Sequence, residues 1–177
     1  SVRSRYVIAA DGAGSHVRKA LGIEAVGPAR LGSFVMIHFE ADLRGLVGHR
    51  PAVLYWTTRP GATGTFVAHD LASTWVYMHA FDPDREAAEG FDEARCSAIV
   101  RRAMGKPDFE PVFRTIRPWT MTAQVAARYR EGRIFLAGDA AHRFPPSGGL
   151  GLNTGVQDVH NLAWKLGAVE SGWASPE

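Results

Sequence analysis

Two kinds of hydrophobic pattern divide the chain. Short unbroken apolar runs stand near each end, and a longer stretch rich in β-branched and aromatic residues lies between them. Residues 6–10 (Tyr6-Val7-Ile8-Ala9-Ala10) form an apolar run closed by Asp11-Gly12, the pattern of a buried parallel strand. Residues 13–22 then read as a short helix, with Ser15 placed to cap its start and Gly22 to stop it. A second buried-strand candidate spans 133–137 and runs into Gly138-Asp139, Pro145-Pro146 and Gly148-Gly149-Leu150-Gly151. A last helix is predicted from Asn153 or Thr154. There Thr154-Gly155-Val156-Gln157 has the spacing of a capping box, and Val156, Val159, Ala163 and Leu166 recur as an apolar stripe.

The middle predicts strands at 34–41, 52–58, 65–69 and 73–81, separated by Gly45, Gly48, Pro51, Pro60-Gly61 and Gly64. Breakers this frequent imply an antiparallel sheet. Alternation puts Trp75, Tyr77 and His79 on one face of it and Val76 and Met78 on the other. Residues 91–105 read as an amphipathic helix with Phe91, Ala94, Ala98 and Val100 as its apolar or small positions, closed by Gly105 and Pro107. Residues 109–119 read as extended, with Val112 and Ile116 as the apolar positions.

Composition narrows this picture only slightly. Hydrophobic content is 46% and charged content 21% over 177 residues, ordinary for a globular protein. The net charge of +2 and the scattered arginines give no reason to invoke nucleic acid or an anionic membrane. Cys96 is the only cysteine, so no internal disulfide and no CxxC metal site can form, and a reducing cytoplasm is the expected compartment. No run of about 18 apolar residues predicts a membrane span, and no signal peptide is recognisable at the start.

The candidate chemistry lies in the order strand, Gly-Asp, Pro-Pro, glycine-rich loop, capped helix. A helix N-terminus offers unpaired N–H groups and partial positive charge, glycines let backbone approach a planar or phosphorylated ligand, and an Asp after a strand can accept bonds from sugar hydroxyls. A glycine-rich loop that only turns the chain is the competing reading, and residue chemistry alone leaves both open. His142 lacks further ligands at metal-site spacing, so no metal is expected. No nucleophile elbow or phosphate-binding P-loop is present. Tyr55, Trp56, His69, Trp75, Tyr77 and His79 either line an aromatic pocket or pack a core. Trp119 and Trp164 are expected in the core.

The run Gly138-Asp139-Ala140-Ala141-His142-Arg143-Phe144-Pro145-Pro146-Ser147-Gly148-Gly149-Leu150-Gly151-Leu152-Asn153 resembles the second FAD motif of the flavoprotein aromatic hydroxylases (group A), the class of para-hydroxybenzoate hydroxylase and phenol hydroxylase. Its continuation Gln157-Asp158-Val159-His160-Asn161-Leu162-Ala163-Trp164-Lys165-Leu166 resembles the phenol and polyketide hydroxylase branch. Ala10-Asp11-Gly12-Ala13-Gly14-Ser15-His16-Val17-Arg18 is similar to the family's Asp-Gly motif. The family's GxGxxG is absent, so the resemblance implies a C-terminal part of such an enzyme, one without the residues that grip the adenine end of FAD.

The resemblance implies a mixed α/β fold, with residues 1–27 and 123–177 as part of a Rossmann-like FAD/NAD(P)-binding lobe and 28–122 as an inserted, mostly antiparallel β-sheet substrate lobe. It implies Asp139 on the ribityl or ribose hydroxyls, Pro145 and Pro146 against the reactive side of the flavin, and the N–H groups of Leu152 and Asn153 at the pyrimidine edge. Gly138, Gly149 and Gly151 would shape that loop, and Asp11 and Gly12 would serve the pyrophosphate or ribityl region. Arg18 would either join them or be a surface helix arginine. The implied activity is NADH- or NADPH-driven hydroxylation of a small aromatic, phenolic substrate by dioxygen through a flavin hydroperoxide, with no protein nucleophile, metal, nucleic acid or membrane. No catalytic side chain is singled out, and homo-oligomerisation is an open alternative. An FAD-dependent reductase or epoxidase on this scaffold, or a catalytically incomplete fragment, are the competing readings.

Overall fold

The computed structural model describes residues 2–175; Ser1, at the head of the first predicted lobe, and Pro176 and Glu177, at the end of the last, lie outside the described residues. The chain divides into two compact units, one made of residues up to Leu31 and from Thr122 onward, the other of Gly32–Met121.

The first unit opens with strand β1 (Val7–Ala9), helix α1 (His16–Ala20) and strand β2 (Ala25–Val26). Ser15 caps α1 as expected, accepting from the Arg18 N–H at 2.9 Å, and Gly22 follows the helix in the left-handed region (φ +62°).

The second unit comprises β3 (Gly32–Glu40), α2 (Arg44–Val47), β4 (Leu54–Thr57), β5 (Gly64–Asp70), β6 (Thr74–Phe81), α3 (Glu93–Met104) and β7 (Val112–Met121). Its five strands form one antiparallel sheet in the order β4-β5-β6-β3-β7. The alternation on β3 explains the core: Val35, Ile37 and Phe39 point to the face where Trp75 and Tyr77 of β6 are buried, while Phe34, Met36 and His38 are half-buried on the other. The Tyr77 hydroxyl donates to the Ala62 carbonyl at 2.6 Å, and burial pushes its pKa above the ordinary phenol value.

Helix α3 covers the Trp75 face, and of the positions the sequence suggests Phe91 and Val100 are buried there while Ala94 and Ala98 are not. Cys96, Ile99, Val100 and Ala103 are buried, and Ala94 and Ala98 are exposed. The burying positions follow i, i+3, i+4, i+7 from Cys96, whereas Ala94 and Ala98 lie on the opposite side of the same helix. Burial also pushes the Cys96 thiol up to about 11. Val112 is likewise not a core position. It is 62% exposed at the start of β7, and Phe113 and Ile116 are the half-buried residues of that edge strand.

The chain then returns to the first unit as β8 (Gln124–Ala126), β9 (Arg130–Glu131), β10 (Ile134–Leu136), β11 (His142–Arg143) and α4 (Leu150–Glu170). The two strand candidates pair with each other, β1 parallel to β10, Val7 opposite Ile134 and Ala9 opposite Leu136. They are not buried throughout: Val7 and Ile8 are 44% and 46% exposed, because β1 forms the edge of the three-stranded sheet β1-β10-β9. A second small sheet runs β11-β8-β2. The apolar core here is small, built on Ala9, Ile23, Ala126, Leu136 and Ala141. No helix among the described residues is long and apolar enough to cross a membrane.

The corrected α3 stripe makes a direct expectation. Ile99→Ala should lower stability by about 2 to 4 kcal/mol through the cavity it leaves. Val112→Ala should stay within about 0.5 kcal/mol of wild type. Urea unfolding followed by tryptophan fluorescence compares the two.

Candidate functional site

Strand β10 ends at Leu136, and Ala137 still donates to Ala9 of β1 at 3.0 Å. Gly138 then adopts φ +58°, a left-handed conformation that an L side chain would strain, and starts a 3-10 turn over Gly138–Ala140. Ala140 and Ala141 turn inward and are buried. Asp139 is exposed and makes no hydrogen bond or ion pair among the described residues, so its carboxylate keeps its full accepting capacity for a ligand.

The Asp-Gly loop reaches the same turn through Arg18. This residue is neither a surface arginine nor free to meet a ligand: it is 5% exposed, donating from Nη1 to the Ala140 carbonyl at 2.8 Å and from Nη2 to the Ala13 carbonyl at 3.1 Å. The guanidinium fork thus joins two motifs far apart in sequence. Asp11 is exposed and accepts from the Val17 N–H at 3.2 Å. The Ser15 hydroxyl first, and then this amide, hold its carboxyl below the ordinary value of 3.8. Gly12 follows in the left-handed region at φ +82°.

The last helix begins earlier than expected. A 3-10 turn at Pro146–Gly148 leads to Gly149 at φ +61°, which is the N-cap, and α4 starts at Leu150. The capping box at Thr154 does not form. That residue already lies within the helix, and its hydroxyl donates back to the Leu150 carbonyl at 2.9 Å. The N–H groups of Leu150, Gly151 and Leu152 are therefore the ones that precede the first i→i−4 bond of the helix. A Cβ added at Gly149 or Gly151 would meet nothing within 4 Å, so the outer side of this turn is open. Pro145 is half-buried and Pro146 exposed beside it.

The expected stripe of α4 also fails. Val156 and Val159 are 57% and 40% exposed, Ala163 is exposed, and only Leu166 of the four is half-buried. Gly151, Thr154, Gly155, Asp158 and Leu162 are the more sheltered positions. Gly155 lets the helix approach the turn so closely that a Cβ there would stand 3.4 Å from the Gly138 Cα. One turn further, Asp158 Oδ2 accepts from the Gly138 N–H at 2.8 Å and lies 2.6 Å from His142 Nε2. His142 is 4% exposed, flanked by the rings of Tyr129 and Phe144, and its Nδ1 is buried without a partner.

The aromatic candidates of the sheet unit do not form one group. Trp75 and Tyr77 belong to its core, while Trp56 is 75% exposed. Tyr55 and Trp75 line a cavity of about 240 Å³ with Leu43, Thr57, Phe66 and Met104, but Trp56, His69, Tyr77 and His79 are not among its walls. Burial holds His79 below the ordinary histidine value. Trp164 is 55% exposed rather than in a core, and Trp119 is half-buried against Phe34.

Comparison with known proteins decides the family. The model of the FAD binding domain matches residues 1–177. The chain belongs to the FAD-binding domain family. Tetracenomycin B2 monooxygenase-dioxygenase of Streptomyces olivaceus is 43% identical over 175 residues, covering 99% of this chain and 32% of that protein. Among solved structures, aklavinone-11 hydroxylase with FAD and aklavinone matches at 37% identity and a TM-score of 0.84, over 96% of this chain and 32% of that one. The flavin-dependent monooxygenase PieE with FAD and substrate matches at 37% identity and a TM-score of 0.86, over 99% and 31%. The chain thus spans about a third of the length of the relatives it matches. Fold and family agree with the sequence reading. That reading left Arg18 between a ligand and a surface role and gave Asp158 none: each is a charged residue acting on backbone distant in sequence, which spacing cannot show.

Arg18 and Asp11 each carry a direct expectation. Arg18→Ala leaves the Ala13 and Ala140 carbonyls without their donor and should cost about 2 to 4 kcal/mol in urea unfolding. Arg18→Lys should recover only part of it, since one ammonium replaces a two-pronged fork. For Asp11, a depressed folded pKa means its contribution is complete above the unfolded value and is lost as pH falls through the folded one. Carboxyl NMR should therefore place the Asp11 midpoint below 3.8, and Ser15→Ala should raise it.

Proposed function

We propose that this chain forms the flavin-facing part of an FAD-dependent monooxygenase that hydroxylates an aromatic or polyketide substrate, with NADH or NADPH as reductant and dioxygen as co-substrate. The observation that carries the reading is the unpartnered Asp139 carboxylate in the same unit as the free N–H groups that open α4. A dinucleotide with a polyol chain and a ring that gains negative charge on reduction needs these two features: an acceptor for hydroxyls and donors at a helix N-terminus. The open space over Gly149 and Gly151 fits a planar group. The relatives support the reaction class: one is named a tetracenomycin B2 monooxygenase-dioxygenase, and another is an aklavinone hydroxylase holding FAD.

In this reading Asp139 holds the ribityl or ribose hydroxyls, and Pro145, Pro146, Gly149 and Gly151 form the wall beside the ring. The N–H groups of Leu150, Gly151 and Leu152 stabilise negative charge at its pyrimidine edge. The Asn153 N–H, next in the first turn of α4, serves the same edge. Asp11, Gly12 and Gly138 shape the backbone around the phosphate and polyol region. When bound, FAD supplies electron transfer from the nicotinamide and activation of dioxygen. The residues named here bind and orient it and exclude water. The sheet unit is assigned to the substrate.

The test uses the full-length gene product. Asp139→Ala should weaken FAD binding, followed by flavin fluorescence, about 10- to 100-fold, the loss of charge-assisted hydrogen bonds. With NADPH or NADH, oxygen-18 gas and tetracenomycin B2 as test aromatic, mass spectrometry should find label in the product. Nicotinamide oxidation with an unlabelled reduced product would instead identify a reductase.

A further inference from the structure

We propose that Asp158 is the positioning residue of this site, a carboxylate on α4 that fixes the Gly-Asp turn to the helix whose N-terminus faces the cofactor. The inference rests on the FAD reading above. Three observations lead to it. A single oxygen, Oδ2, accepts the Gly138 N–H at 2.8 Å and faces His142 Nε2 at 2.6 Å, so it grips residues at both ends of the short turn that carries Asp139. Gly138 lies beyond the paired residues of β10, and its part-buried N–H finds its acceptor in Asp158. Gly155, one helical turn before Asp158, brings α4 close to the Gly138 backbone: a Cβ there would stand in van der Waals contact, 3.4 Å from the Gly138 Cα.

The imidazole completes the device. With Nδ1 buried and unpartnered, a proton there would have no acceptor, so the geometry assigns the tautomer in which Nε2–H donates to Asp158 and Nδ1 keeps its lone pair. Tyr129 and Phe144 flank the ring, with centroids 6.2 and 4.9 Å away. The turn and the helix are thereby locked together, and the offset between the Asp139 carboxylate and the free N–H groups of Leu150, Gly151 and Leu152 is set within one element. Asp158 does not touch the cofactor in this account. It acts through Asp139 and the turn.

The experiment is a double-mutant cycle on FAD affinity in the full-length gene product, with ¹⁵N NMR of the histidines in the apo-protein. Asp158→Ala should weaken FAD binding about tenfold or more, through two hydrogen bonds to a charged acceptor. Asp158→Asn, which keeps the volume and one accepting oxygen, should fall between it and wild type. The decisive result is non-additivity: Asp139→Ala/Asp158→Ala should bind FAD about as weakly as Asp139→Ala alone, since a misplaced turn costs nothing once the carboxylate is gone. Additive losses, or unchanged affinity in the Asp158 variants while Asp139→Ala is impaired, would overturn the positioning role and leave the FAD reading standing. If Asp158→Ala does not fold, the cycle is run with Asp158→Asn. A His142 resonance pattern with Nε2 unprotonated in wild type would also overturn the proposal. Wild type that does not bind FAD would sink the reading beneath it.

Discussion

A guanidinium buried without acceptors is too costly to persist, and in this chain that constraint organises the site. Arg18 is withdrawn from solvent, and the groups it meets are the carbonyls of Ala13 and Ala140. Satisfying the fork requires the Asp-Gly loop after β1 and the Gly-Asp turn after β10 to lie at one distance from α1. The turn itself supplies little to hold it, since Gly138, Ala140 and Ala141 bring almost no side-chain surface to a small core. Directional bonds to its backbone take the place of packing, from Arg18 on the Ala140 side and from Asp158 at Gly138.

The sheet unit is built on the opposite principle. Its centre is a cluster of large side chains, Phe39, Trp75 and Tyr77 among them, set by the period-two alternation of β3 and β6 and closed by α3. Polar groups inside it are few and local, as where the Tyr77 hydroxyl meets Ala62 and Thr57. Such a core tolerates small shifts of its members, because dispersion and burial vary gently with position. Hydrogen bonds do not: their strength falls steeply with angle and distance. A turn that must present one carboxylate at one place is therefore better fixed by bonds than by contacts.

What was legible in the sequence follows the same division. Local signals are legible, because each is complete within a few residues: the Ser15 cap, the Gly22 stop, the strands between Gly and Pro breakers, and the short strands near 6–10 and 133–137. Asp139, Gly149 and Gly151 stand out in the sequence as a candidate ligand-facing segment only through resemblance, and chemistry alone leaves a plain turn open. The start of α4 was misread because Gly149 caps it through backbone conformation, with no capping side chain to recognise. Its stripe was misread because the sheltered face uses Gly151, Gly155 and Asp158, where hydrophobicity gives no signal. Arg18 and Asp158 lay beyond any local pattern: the Arg18–Ala140 bond spans 122 residues of chain.

The glycines and the aspartate on that face of α4 are one solution rather than two features. Gly155 brings the surface of α4 to van der Waals distance of Gly138, but that bare surface leaves the turn's N–H facing a helix whose own carbonyls are already engaged. An acceptor must then come from the next turn of the same helix, and a carboxylate one turn on is short enough to reach back. A leucine at 158 would add apolar burial yet leave that donor unsatisfied, a loss comparable with the gain. The polar choice is the one that both closes the backbone's hydrogen bonding and ties the helix's free N-terminal donors to the turn that carries Asp139.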